Sequence, residues 1–348
     1  MRRLPLVAAI AAASALLLAG CSSGQAPATG ASASASSLAG TTITVYNAQH
    51  EELTQAWADA FTQQTGVEVV LRNGDDSELG NQIVQEGAAS PADVFLTENS
   101  PAMSLVDNAG LFAPLDVATI EQVPASYRSS TGNWTGIAAR STVMVYNPAK
   151  ITADELPKSI MDLQNPEWQG RWAASPSGAD FQAIVSAVLA EKGEAATSAW
   201  LQGMKTNSVA YKGNGTVMKA VNAGEIPLGV IYHYYWFIDQ AGTKENSANA
   251  QLAWFKNQDP GAFVSVSGGG VLASSKNQAA AQAFVAFITS QAGQDVLRTG
   301  TSFEYPVGSG VAQNPALPAL DTLDAPAIDP ATLNSKSVTD LMTKAGLI

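Results

Sequence analysis

The chain has 348 residues, a formal net charge of −12, two histidines and a single cysteine. That acidity excludes nucleic acid as a partner, because phosphate backbones demand basic patches, and it suits a protein that receives a cation. One cysteine excludes disulfides and thiolate metal sites from the folded part of the chain.

Arg2 and Arg3 precede an apolar run from Leu4 to Leu18, and Leu18-Ala19-Gly20-Cys21 closes it with small residues. The pattern predicts a signal peptide over residues 1–20 with lipid attachment at Cys21, because the run is short for a spanning helix and a polar stretch follows. Losing Arg2 and Arg3 takes the net charge from −12 to −14. Residues 21–40, rich in Ser, Ala, Gly and Thr, read as the lipidated cysteine and a flexible tether. The roughly 308 residues from position 41 suffice for one large or two medium domains.

In this mature part, Ile43-Thr-Val-Tyr46 alternates like a half-buried strand, and Leu53, Trp57, Ala60 and Phe61 then fall on one helical face. Gly66 stands where a helix C-cap belongs, ahead of a strand over Val67–Leu71. Further strands are predicted at Ala92–Leu96 and Thr142–Tyr146. Helices are predicted around Phe181–Leu189, Ala280–Ile288 and Val338–Ala345. Gly229-Val-Ile-Tyr232 reads as a strand that ends in a cluster of phenols, Tyr234 and Tyr235. A hard trivalent cation prefers anionic oxygen donors and can hold a phenol ionised far below its free pKa of about 10. Ser265–Leu272 is a glycine-rich strand, suited to close backbone approach or bending. The alternation of strands and helices predicts an α/β protein with mainly parallel sheets.

Enzyme signatures fail one by one. His50-Glu51-Glu52-Leu53-Thr54 has threonine where a zinc-protease helix needs its second histidine. Gly213-Asn-Gly215 reaches Met218 in place of the third glycine of a dinucleotide loop. Ser177 and Ser267 lack the flanking glycines of a nucleophile elbow, and no phosphate loop is present. With only His50 and His233, catalytic triads have little raw material.

Six segments carry a resemblance. They are Ile43–His50, Ser90–Glu98, Pro176-Ser177-Gly178-Ala179, Tyr234-Tyr235-Trp236, Asp259-Pro260-Gly261-Ala262 and Glu304-Tyr305-Pro306. In order and spacing the chain resembles the periplasmic ferric-iron-binding proteins, the bacterial transferrin-like receptors of iron ABC importers. The resemblance runs from about residue 42 to the end. It implies a two-lobed clamshell fold of the periplasmic-binding-protein type II, with two crossing hinge strands, one near Arg140 and the return near Ser265. Lobe 1 would then comprise residues 41–140 plus 265–315, and lobe 2 residues 141–264 plus 316–348.

The resemblance also implies a ligand set of His50, Glu98, Tyr234 and Tyr235 for Fe3+, and an anion loop of Ser177, Gly178 and Ala179 joined by Asn214. The anion would be phosphate or carbonate. Backbone N–H groups at a helix start give the loop its rationale. A regular strand would send Tyr234 and Tyr235 to opposite faces, so the chain must leave extended geometry there. The chain departs from close relatives in having Tyr232-His233 where an asparagine stands, Asn99 where a longer glutamine follows the glutamate, and Thr97 for serine.

The implied function is a non-enzymatic, monomeric lipoprotein on the outer face of the cell membrane, periplasmic or at the cell surface. It would pass ferric iron to an ABC permease and its ATPase. A clamshell also serves organic ligands, so the alternative is a receptor for thiamine, a polyamine or a phosphonate, with Trp134, Trp236 and Asp93 as its pocket.

Overall fold

The structure is a computed structural model that describes residues 38–348, so the expected signal peptide, Cys21 and most of the tether lie outside the described residues. Among the described residues, nine strands form one continuous sheet. They are β1 Thr42–Asn47, β2 Glu68–Asn73, β3 Val94–Leu96, β4 Trp134–Tyr146, β5 Trp172–Ala174, β6 Ser208–Ala210, β7 Leu228–Tyr232, β8 Gln251–Ala253 and β9 Val264–Val271. The helices are α1 Glu51–Thr65, α2 Asp76–Glu86, α3 Ser100–Asn108, α4 Val117–Ile120, α5 Ala179–Asn207, α6 Asn214–Asn222, α7 Tyr234–Ala241, α8 Gln278–Thr289, α9 Gln291–Thr299 and α10 Ser335–Ala345.

Local signals explain many boundaries. Glu51 and Glu52 open α1, where the helix dipole favours acids. Gly66 ends it at φ 73, donating its N–H to Thr62 O. Leu53, Trp57 and Phe61 are buried along one face of α1, and Phe61 meets Phe284 of α8 at a ring separation of 5.1 Å.

The strands run β2-β1-β3-β9-β4-β7-β5-β6, and β8 joins the edge of β4. Pairings β1–β2, β1–β3, β5–β6 and β5–β7 are parallel. Pairings β3–β9, β4–β9, β4–β7 and β4–β8 are antiparallel. The expectation of mainly parallel sheets is therefore corrected to a mixed sheet. Parallel βα units build the outer strands of each lobe, but the two strands that cross between lobes run in opposite directions and every strand joined to them inherits that reversal.

All thirteen residues of β4 are buried. Its first part, Trp134–Ser141, pairs with β9, and Thr142–Tyr146 pairs with β7. One strand thus serves both lobes, with Arg140 opposite Ser265 at the changeover. The glycines of β9 exist for packing: a Cβ on Gly268 would collide with Met103, and one on Gly270 would stand 2.8 Å from Phe112.

Each lobe has its own apolar core. One gathers Ile43, Val45, Trp57, Phe61, Phe284 and Ile288. The other gathers Trp172, Phe181, Trp200, Met204, Val338 and Met342, so that α10 closes over α5. Burying side chains of this size contributes about 1.5–3 kcal/mol each, which makes both lobes rigid supports for the residues between them. Among the described residues, no helix is long and apolar enough to cross a membrane.

Candidate metal centre

The site lies between the lobes, where strands end and helices begin, the usual location of ligand sites in α/β sheets. His50 follows β1 as the N-cap residue of α1, with φ −49 and ψ 124. Glu98 comes two residues after β3. Asp76 accepts the Glu98 N–H at 2.9 Å and the Asn99 N–H at 3.0 Å, which holds this turn in place. From the other lobe, β7 ends at Tyr232 and α7 begins at Tyr234. In a helix neighbouring residues diverge by only about 100°, so both phenols reach the same point. Their rings stack at 4.4 Å.

That common point is Asp180, the second residue of α5. Its Oδ2 accepts from Tyr234 at 3.3 Å, Tyr235 at 3.2 Å and Asn214 Nδ2 at 2.7 Å. Asn99 Nδ2 donates both to Asp180 Oδ1 at 3.1 Å and to Asp76 Oδ2 at 3.2 Å, bridging the lobes. The amide oxygen of Asn99 accepts from Tyr232 at 3.2 Å and from Ser265 at 2.8 Å.

Facing this cluster, His50 Nε2 lies 2.9 Å from Glu98 Oε1 and Nδ1 lies 2.9 Å from Glu304 Oε1. The His50 and Tyr234 rings meet edge-on at 4.9 Å. Arg140, fully buried, binds Glu304 through Nη2, approaches Glu98 Oε2 at 3.5 Å and stands 5.4 Å from the Tyr234 ring centroid. Guanidinium and imidazole thereby offset carboxylates that could not otherwise be buried together.

The environment shifts the titrations in opposite directions. Burial alone would lower the His50 pKa, but Glu304 and Glu98 override it and push it up to about 10. Burial would raise Glu304, yet Arg140 and His50 bring it down to about 2. Burial, then the neighbouring Asp180 and Glu98 charges, push Tyr234 and Tyr235 well above the usual phenol range. Asp180 rises to about 6, again by burial and Glu98, with Arg140 and Asn99 opposing. At neutral pH the site therefore holds a proton on each phenol and an extra one on the imidazole.

His50, Glu98, Tyr234, Tyr235 and Asn214 are thus gathered in one cleft. Of the expected anion loop, Ser177 is exposed and the Gly178 N–H is taken by Ser175 O at 3.1 Å, while Asp180 beside the loop places its carboxylate among the Asn214 and phenol donors. Periodicity does not reveal Asp180, Arg140 or Glu304. The available signals are an acid directly after Ser177-Gly178-Ala179, and a glutamate in Glu304-Tyr305-Pro306.

The residues of the organic-ligand alternative are committed elsewhere. Trp134 is fully buried in a lobe core, Asp93 accepts from the Thr44 N–H at 2.8 Å and the Ser275 hydroxyl at 2.6 Å, and Trp236 donates to Ala250 O at 2.9 Å. Among the described residues no group of three or more His, Cys, Asp and Glu side chains is arranged to hold a metal. The two phenols stand in the same cleft. A cavity of about 780 Å3 opens beside it, lined by His50, Leu53, Tyr234, Tyr235, Ile238 and Phe303.

Fold and cleft define a two-lobed solute receptor. The chain belongs to the bacterial extracellular solute-binding proteins, whose family model matches residues 89–331, and among them to the periplasmic ferric-iron-binding proteins. It is 68% identical over 306 residues to the Fe(3+)-binding periplasmic protein of Serratia marcescens, covering 88% of this chain and 90% of the relative. Identity to the major ferric iron-binding protein of Neisseria meningitidis is 37% over 311 residues, covering 88% and 93%. The crystal structure of iron-bound HitA from Pseudomonas aeruginosa superposes with a TM-score of 0.83 at 42% identity, covering 88% of this chain and 100% of that one.

Proposed function

We propose that this protein captures ferric iron between its lobes and delivers it to an ABC permease with its ATPase, with His50, Glu98, Tyr234 and Tyr235 as metal ligands. The observation that carries this reading is the convergence of both phenol hydroxyls on one oxygen of Asp180, opposite the His50–Glu98 pair. Each phenol and the imidazole carries one proton that a metal would displace. Exchanging about three protons for one trivalent ion leaves the buried charge unchanged. A divalent ion would leave one excess negative charge, which a buried site penalises, so reduction to the ferrous state loosens the complex. The relatives named above as ferric-binding support the same choice.

Asp180 is a further ligand in this reading. Its carboxylate stands where Asn214 and the helix start of α5 would receive an exogenous anion, so the chain supplies internally the charge that phosphate or carbonate would bring. Ser177, Gly178 and Ala179 then serve to start α5 and aim Asp180. A structure of a Trichodesmium relative contains iron and citrate, an exogenous anion that Asp180 makes unnecessary here.

We read the protein as a receptor rather than an enzyme, in keeping with the solute-binding family to which it belongs. It works as a monomer tethered by lipid at Cys21 on the outer face of the cell membrane. The lobe boundaries follow the hinge crossings at Arg140 and Ser265, and opening about them releases the ion. A visible spectrum tests the reading: ferric salt added to the purified protein produces an orange-to-red tyrosinate band, whereas a receptor for thiamine, a polyamine or a phosphonate stays colourless.

A further inference from the structure

We propose that Glu304 is a positioning residue of the iron site, fixing the tautomer and ring orientation of His50 so that Nε2 is the nitrogen turned to the metal. This rests on the ferric-iron reading above, and it gives Glu304 a role through His50 with no metal contact of its own.

Glu304 is fully buried, and its two oxygens are divided between partners. Oε1 lies 2.9 Å from His50 Nδ1. Oε2 accepts from Arg140 Nη2 and, at 3.3 Å, from Gln49 Nε2. A carboxylate only accepts, so Nδ1 carries the hydrogen. Nε2 stands 2.9 Å from Glu98 Oε1 and is protonated as well in the metal-free protein, but Glu98 is itself a proposed ligand, so the Nε2 hydrogen is the one a metal displaces while Glu304 keeps the hydrogen on Nδ1. A free imidazole would choose between two tautomers and rotate about its side-chain bonds, and either freedom weakens a metal ligand.

The support behind Glu304 is unusually firm. Tyr305 exchanges both backbone hydrogen bonds with Ala139 of β4, at 2.8 and 2.9 Å. Arg140, the next residue on that strand, is held by Ser267 Oγ at 2.8 Å and Gln49 Oε1 at 3.2 Å. Gln49 Oε1 also accepts the His50 N–H at 2.7 Å. Phe303 adopts φ 52, a left-handed conformation unfavourable for a residue with a Cβ, and this bend turns Glu304 inward. The chain accepts a strained residue next to a buried carboxylate, which fits a placement selected for its aim.

The test is a double-mutant cycle between Glu304→Gln and His50→Ala, read as ferric affinity against a competing chelator. In Glu304→Gln, the donor-only Arg140 draws the new carbonyl toward itself and leaves the amide NH2 against His50 Nδ1. The hydrogen must then move to Nε2. Affinity is expected to fall about 10–100-fold, and the double variant to bind no more weakly than His50→Ala alone. A loss that adds fully to that of His50→Ala, or no loss, overturns the proposal. A second measurement needs no variant: nitrogen-15 NMR of histidine-labelled wild type loaded with gallium(III), where only two histidines must be assigned. His50 is expected to carry its proton on Nδ1 and none on Nε2; a bare Nδ1 overturns the assignment. A wild type that shows no visible band with ferric salt overturns the iron reading and this one with it. A coloured wild type with an indifferent Glu304→Gln overturns this one alone.

Discussion

On the first lobe, His50 lies between Glu98 and Glu304 with Arg140 against both carboxylates. On the second, Tyr234 and Tyr235 donate as neutral phenols to the single carboxylate of Asp180. The first half is a network of full charges that already attract one another. The second withholds its charge, because burial makes a phenolate costly until a cation arrives. On the proposed reading a metal meets two kinds of resistance, an ion pair to be broken at His50 and two strongly held phenol protons. On that reading selectivity resides in the protons: the ion must bring enough charge to displace them all.

The largest expected effect breaks both halves together. His50, held up to about 10, and both tyrosines, held above their usual range, keep their protons at neutral pH. Binding thus releases about three protons, and ferric affinity falls by up to about a thousandfold for each unit the pH drops. Below about 6, Asp180 also protonates and the fall steepens. Chelator competition at three pH values, with a pH-stat count of protons, measures this; release of one proton or fewer contradicts the scheme.

Removing one phenol isolates the second half. Tyr234→Phe or Tyr235→Phe loses a single oxygen, so packing survives while most of the charge-transfer band disappears. The affinity loss is expected to exceed the about 10–100-fold typical of groups outside the metal's own ligands, and to exceed that of His50→Ala. Wild-type colour and affinity in both variants would refute the phenolate site.

Asp180→Asn sharpens the comparison by taking away the carboxylate around which the phenols gather. Affinity in anion-free buffer is expected to drop by more than the about 10–100-fold typical of groups outside the ligand set, and added phosphate or carbonate to restore most of it. The unmodified protein should be nearly indifferent to the same anions. An Asp180→Asn protein indifferent to anions would show that Asp180 is not standing in for one.

The smallest effect concerns the first half in metal-free protein. The raised His50 pKa contributes stability that is fully present below about 6.5 and is lost as pH climbs through about 10. Glu304, depressed to about 2, contributes stability present above its unfolded value near 4.3 and lost as pH falls through about 2. Thermal midpoints should be highest between roughly pH 4.5 and 6.5 and decline by several degrees toward pH 10. His50→Ala should flatten the alkaline decline; an unchanged slope would mean that other groups set it.

Much of this molecule is written in short-range patterns. β1 departs from the half-buried expectation, because Ile43 and Val45 are buried in one core cluster and Tyr46 in another. The amphipathic spacing of Leu53, Trp57 and Phe61 and the left-handed Gly66 are local properties, and the folded chain keeps them. The tyrosine pair at the end of a strand was legible for the same reason, and stereochemistry required the turn into α7 that brings both hydroxyls together. Sequence alone did not determine the direction of the central strands, because pairing between β4 and β9 joins residues more than a hundred positions apart and no local propensity encodes it. The same holds for Asp180, Arg140 and Glu304. Each is an ordinary charged residue to any window of neighbours, and each becomes part of a site only because the lobes bury it beside a particular partner. Tertiary structure decided which charges are desolvated together, and desolvation beside particular partners is what shifts the titrations of these common side chains.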